Sequence, residues 1–334
     1  MTNAAVRILE EAQQSPVADP YSASIAIIRP ILSGLLYSLK QDVVTEMNGY
    51  GNIKLKMLPR LRREGDGDVG ICFEYAVHDA LQRKHPHITE RIYDALTRYC
   101  KVPGTQIESI LFAAEKNGSL QIINTATGAL TDESRILTGA QAQPPKLKQY
   151  LSDIAQAFRY SSARENLPST IKGLWKADLF VGCRDSDRWV GTTVKINPNA
   201  LEGAPGLRLG IVPAHQGKFD AIRVDQSKNL VVCPVPYDAS FMEAFYVSWG
   251  IVQQFLAADA NMPKEMYLPS PLQRQIANEL YMRREFTVLD AIEGLRPLAQ
   301  PHLLLNRPLD VPVEVHQAII TTDTLISPIP GVVA

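Results

Sequence analysis

The sequence lacks the signatures of several common chemistries. It has no GxSxG, no HExxH and no GxxxxGK[ST], so serine-hydrolase, zincin and P-loop readings have no motif to stand on. It is short of cysteine. Cys72, Cys100, Cys183 and Cys233 show neither the close paired spacing of a zinc site nor the density of a disulfide scaffold, and they read as reduced thiols. It lacks an excess of either charge. With 34 Lys and Arg against 35 Asp and Glu, net charge is -1, so no global basic field announces a nucleic-acid binder and any such role must come from a local patch. It also lacks an uncharged apolar run of membrane-spanning length, because ASIAIIRPILSGLLYSL is interrupted by Arg29 and Pro30. The opening MTNAAVRILEEAQQ reads as an amphipathic helix rather than a secretory signal. The expected setting is the cytoplasm, with no membrane partner.

What the chain does have is enough apolar material to bury. At 334 residues and 46% hydrophobic content it supports one large domain or two modest ones. Residues 1–47 read as helical, punctuated by Pro20 and Pro30, with a turn at 49–51. Next comes the densest basic cluster, Lys54, Lys56, Arg60, Arg62 and Arg63, in IKLKMLPRLRREGDGD. Five cations within ten residues could follow a phosphate backbone; equally, they could form a solvated charged loop. Helical spacing then predicts helices in DVGICFEYAVHDALQ and ITERIYDALTRYC, with Glu74 and His78 four apart on one side of the first. His78 reads as a helix-surface residue. The segment ESILFAAEKNGSLQIINTATGAL fits a helix and strand or a hairpin equally well, and PPKLKQYLSDIAQAFRY reads as a helix.

After residue 170 the texture changes to strands. WKADLFVG, RWVGTTVKIN, LRLGIVPA and NLVVCPVPY have strand length and β-branched content, with turn residues between them. A long helix, ASFMEAFYVSWGIVQQFLAADA, follows with Asp238 as its expected N-cap, and its apolar face should lie on the sheet. PLQRQIANELYMRR and TVLDAIEGL read as further helices before a proline-rich tail. The expected organisation is a helical region with a basic arm over 1–65, an α/β core over 66–260 with a helical insertion at about 88–160, and an extension over 261–334.

Two of those strands carry one charge each among apolar residues. Alternation puts Asp178 with Lys176 and Phe180 on one face, and Lys195 with Thr193 and Trp189 on one face of the next strand. If the strands pair, Asp178 and Lys195 meet. An isolated buried ammonium is expensive, so Lys195 needs a partner. The plainer reading is a cross-strand ion pair on a solvated face.

These residues resemble the PD-(D/E)xK, or restriction-endonuclease-like, nuclease superfamily. Its pattern is a helix with a glutamate, a strand with an aspartate, then a strand with an acid two positions before a lysine. Glu74 matches the helix acid, Asp178 the strand aspartate and Lys195 the lysine. The sequence departs from the pattern at Thr193, where the family has the second acid, and no proline precedes Asp178. The resemblance implies a mixed sheet flanked by helices and cleavage of DNA, with RNA not excluded. It implies Asp178 and Glu74 as ligands of Mg²⁺ or Mn²⁺, Lys195 as the cation that orients water or phosphate, and Lys54 to Arg63 as a grip on the backbone. Asp220 and Glu115 are weaker replacement ligands, and His215 reads as polar surface in a loop. Gating by a partner or second copy, and a role in bacterial defence or restriction, follow by analogy. The competing expectation is a catalytically inactive nuclease-like fold that binds nucleic acid, or an assembly subunit whose proline-rich tail clasps another protein.

Overall fold

The computed structural model describes residues 19–299, apart from 64–67, 113–127, 141–142, 218–219 and 266. Glu115 and the tail beyond 299 lie outside the described residues. Pro20–Gln300 form one compact unit, a mixed α/β architecture in which helices flank a seven-stranded sheet.

The helices begin with α1, Pro20–Tyr37, whose buried Ile25, Ile28, Leu32 and Leu35 recur at helical spacing. Pro30 was expected to punctuate this segment; instead α1 runs through it. An interior proline removes one helix bond and costs about 3 kcal/mol. Burial of α1 against later helices offsets that loss. Short turns follow as α2 (Gln41–Glu46) and α3 (Leu58–Leu61). Helix α4, Val69–Gln82, starts where Asp68 accepts from the Ile71 amide at 2.9 Å. Gly34 lets α1 approach α4 closely, because a Cβ there would lie 3.2 Å from Cys72 Cα. Helix α5, Pro86–Asp94, continues into a wider turn over Ala95–Tyr99.

Strand β1 is Ile107–Leu111 and β2 is Arg135–Ile136, followed by α6 (Leu147–Gln156) and α7 (Ser161–Glu165). The four strands expected after residue 170 are all present: β3 (Leu179–Cys183), β4 (Arg188–Val194), β5 (Leu207–Pro213) and β7 (Leu230–Val235), with a short β6 at Arg223–Asp225. Trp175 and Lys176, read as strand residues, lie instead in a 3₁₀ turn, Leu174–Lys176. The closing helices are α8 (Met242–Ala257), α9 (Pro271–Met282) and α10 (Val288–Leu295). Asp238, expected as the N-cap of α8, lies short of it: the cap position is Phe241, which makes no side-chain cap bond, and Asp238 Oδ1 instead accepts the Ser240 and Phe241 amides in the turn ahead of the helix.

Along the sheet the order is β1-β3-β4-β5-β7-β6, with β2 beside the first part of β4. β1, β3 and β4 run antiparallel; β4, β5 and β7 run parallel; β6 closes the far edge antiparallel to β7. Both faces are covered. One core joins Leu179, Val181, Val190, Val194 and Ile211 to α1, α4 and α8. The other joins Phe180, Trp189, Val212 and Leu230 to α6. Leu207 and Leu209 are two apart yet fill opposite cores. The cause is a slip between β4 and β5: Gly191 pairs with Leu207 but Thr192 with Leu209, which leaves Arg208 as an extra residue.

Candidate active site

The β3–β4 hairpin sets the site. Its turn ends at Asp187, with φ of 53°, whose carboxylate accepts from Trp189 Nε1 at 2.8 Å. The register puts Leu179 opposite Thr192, so the residues just outside that pair, Asp178 and Thr193, become neighbours. The Asp178 amide donates to Thr192 O at 2.9 Å, holding the aspartate against the end of β4.

Asp178 is fully buried, and its Oδ2 collects three donors. The Lys195 ammonium lies at 2.9 Å, the Val194 amide at 2.8 Å and the Thr193 hydroxyl at 3.0 Å. Lys195 Nζ is also 3.6 Å from Oε1 of Glu74, which α4 presents from one side of the sheet. Glu74 is buried as well, while the lysine side chain keeps 31% of its exposure, so the cluster opens to solvent on the lysine's side. Burial alone would lower the Lys195 pKa, but the charges and hydrogen bonds of Asp178 and Glu74 outweigh it and hold the ammonium above its usual value. The four residues singled out for chemistry, Glu74, Asp178, Thr193 and Lys195, therefore converge. The plainer alternative of a solvated cross-strand pair does not describe them, because the aspartate has no exposed surface.

Carboxylate oxygens are hard ligands, and two of them flank one cationic position here. That donor set suits Mg²⁺ or Mn²⁺ in the mode where one or two carboxylates hold the ion and substrate phosphate and water complete its shell. It does not suit a closed protein cage: among the described residues no group of three or more His, Cys, Asp or Glu converges.

The other candidates lie elsewhere. Asp220 binds His215, its Oδ2 2.7 Å from both the amide and Nδ1 of that residue. His215 is thus an oriented imidazole rather than a lone surface histidine; the loop pattern HQGKFD held the only sequence signal for the pair. His78, expected on a helix surface, packs against β1 with Nδ1 2.8 Å from Ser109 Oγ. Burial pulls its imidazole down to about 4. Beside Glu74, the Tyr75 hydroxyl is buried without a hydrogen-bond partner, and its ring stacks on Tyr37 at 6.3 Å.

The basic segment is ordered but largely matched with acids. Lys56 pairs with Glu285 at 2.7 Å, Arg60 with Asp259 at 2.5 Å, and Arg63 with Asp42 at 2.9 Å. Lys54 is exposed and bridges to Thr287 through its backbone, while Arg62 is half-buried. Lys56 and Arg60 line a cleft of about 420 Å³ shared with Arg284. A cleft of about 760 Å³ lies at the far end of α4 among Gln82, Lys84, Gln106 and Arg184, and Asp178 is not among its lining residues.

No family model, no curated protein and no solved structure matches this chain. No described helix is long and apolar enough to cross a membrane.

Proposed function

We propose that this chain is a metal-dependent nuclease that cleaves phosphodiester bonds of DNA. One observation carries the reading: an acid on a helix, an acid at the start of a strand and a lysine at the end of the adjacent strand meet around one ammonium, with Nζ 2.9 Å from Asp178 and 3.6 Å from Glu74. That is the order of elements in the restriction-endonuclease-like superfamily that the sequence resembles, with Thr193 standing where the superfamily has its second acid. A divalent cation bound there would supply Lewis-acid activation of a water and neutralisation of the phosphate. Asp178 and Glu74 would hold it. The Thr193 hydroxyl and Val194 amide fix the orientation of the Asp178 carboxylate. Lys195, on the solvent side of the cluster, would bind a phosphoryl oxygen and offset the negative charge that grows on it during in-line attack. The exposed cations of the 54–63 segment would contact the backbone away from the reacting phosphate. Gating by a protein partner or a second copy, and work in a bacterial defence or restriction system, complete the reading by family analogy.

A second reading has its own support. Where the superfamily has an acid, the Thr193 hydroxyl donates into Asp178, which leaves the site one carboxylate short. A catalytically inactive fold of this kind would bind nucleic acid or serve as an assembly subunit.

Cleavage of supercoiled and linear DNA, with RNA in parallel, separates these readings when run with Mg²⁺, Mn²⁺ or EDTA. Metal-dependent cutting by the wild type, reduced at least 100-fold in both Asp178→Ala and Lys195→Ala, is the expected result. Binding without cutting in any metal would favour the second reading.

A further inference from the structure

The Lys195 ammonium stands between the two carboxylates that the proposed function assigns to the metal. It is 2.9 Å from Asp178 and 3.6 Å from Glu74. We infer that Lys195 is a resident stand-in for the divalent cation, and that nucleic-acid phosphate, by drawing Lys195 away, opens the carboxylates to the metal. This rests on the nuclease reading for the identity of the ion.

Three features of the cluster support it. First, the ammonium lies within reach of both carboxylates, 2.9 Å from one and 3.6 Å from the other, where an ion held by those same oxygens would lie. Second, the acids stay put when the lysine leaves. The Val194 amide and Thr193 hydroxyl hold the same Asp178 oxygen that Lys195 contacts, so the carboxylate keeps its aim. Glu74 is carried on α4 and buried. The mobile member is the long, flexible lysine stem, which has the solvent-facing side of the cluster to move into. Third, two carboxylates are a thin ligand set. Mg²⁺ and Mn²⁺ held this way rely on substrate phosphate to complete the shell, and the same phosphate is the natural new partner for the displaced ammonium.

Metal and nucleic acid should therefore bind with positive coupling, each raising the affinity of the other by the same factor. Without nucleic acid the site is closed by its own lysine. Such a device would keep a DNA-cutting centre unloaded until substrate is in place.

The test is Mn²⁺ binding to the full chain, measured by calorimetry and by the spin-resonance signal of free Mn²⁺. It compares the wild type with Lys195→Met, each alone and with a short phosphorothioate DNA duplex that resists cutting. The inference expects Lys195→Met alone to bind Mn²⁺ at least tenfold more tightly than the wild type alone. Phosphate that ligates the metal tightens binding in both proteins, so the lysine's part is the difference between them: the duplex is expected to tighten wild-type binding at least tenfold more than it tightens the variant's. Lys195→Gln, which keeps a polar side chain, takes the place of Lys195→Met if that variant fails to fold, and equal tightening in wild type and variant would overturn the inference. Equal Mn²⁺ affinity with and without duplex, in a wild type that cuts DNA, would overturn the lysine's stand-in role and leave the nuclease reading intact. No Mn²⁺ binding by either protein under any condition would overturn both.

Discussion

The segment from Lys54 to Arg63 and the cluster of Glu74, Asp178 and Lys195 are the two charged regions that matter most, and they are built on opposite terms. The first packs five cations into ten residues, and three of them meet acids at exposed positions in distant parts of the chain. The second gathers three charges from three elements, with Glu74 more than a hundred residues before the other two, and buries both acids. Solvent makes the first arrangement cheap to build and cheap to lose. Desolvation makes the second expensive to build and costly to break, because removing one partner leaves the others buried and uncompensated. A lone charge among apolar neighbours is thus a sharper pointer to a site than a dense run of charges.

Substitutions should sharpen that contrast. The largest stability effect is expected from Asp178→Ala, which strips Lys195 of its nearer partner and leaves the donors from Thr193 and Val194 unsatisfied in the core. A loss of about 3 kcal/mol is expected from urea unfolding. A loss near zero would mean that the cluster relaxes onto water and is not buried in solution as described.

His78 offers a second, intermediate test within the same layer. Its imidazole titrates near 4 when folded and near 6.5 when exposed. The unfolded chain therefore binds more protons between those values. Stability fully present above pH 6.5 should fall as pH drops through that window, by at most ~1.4 kcal/mol per unit. His78→Gln, which keeps a polar group facing Ser109, should flatten that limb in urea midpoints compared at pH 7 and pH 4.5. Identical slopes in the two proteins would remove His78 as the cause.

At the exposed extreme, Arg60→Ala breaks the pair with Asp259 and should leave the urea midpoint unchanged within error. Its effect belongs to binding. If the 54–63 segment grips a phosphate backbone, losing one contact should shallow the slope of log affinity against log salt by about 0.9 for duplex DNA. A measurable stability loss with an unchanged salt slope would reverse the contrast between the two regions.

Much of this was legible in the residues, and what was not has physical reasons. Period-two alternation located β3, β4, β5 and β7, and it brought Asp178 and Lys195 together because hairpin pairing is local. Helical spacing put Glu74 on α4. The pairing of β1 with β3 was hidden, since β1 comes from a segment whose pattern fits helix or strand and its partner lies some seventy residues on. The slip between β4 and β5 was hidden too, because a one-residue bulge leaves the local pattern almost unchanged while reversing which face the next residue fills. Pro30 misled because its local penalty is smaller than the burial energy of a helix packed on all sides. His215 looked alone because a loop reveals its internal hydrogen bonds only once folded.

The far edge of the sheet carries one last consequence. β6 is three residues long, and its exposed Val224 sits between Arg223 and Asp225. A strand from another molecule arriving there would find little ladder to extend and a charge at each end of it. Sheet continuation through this edge is therefore a poor route to self-association, and the same brevity guards a seven-stranded, largely apolar sheet against aggregation from that side.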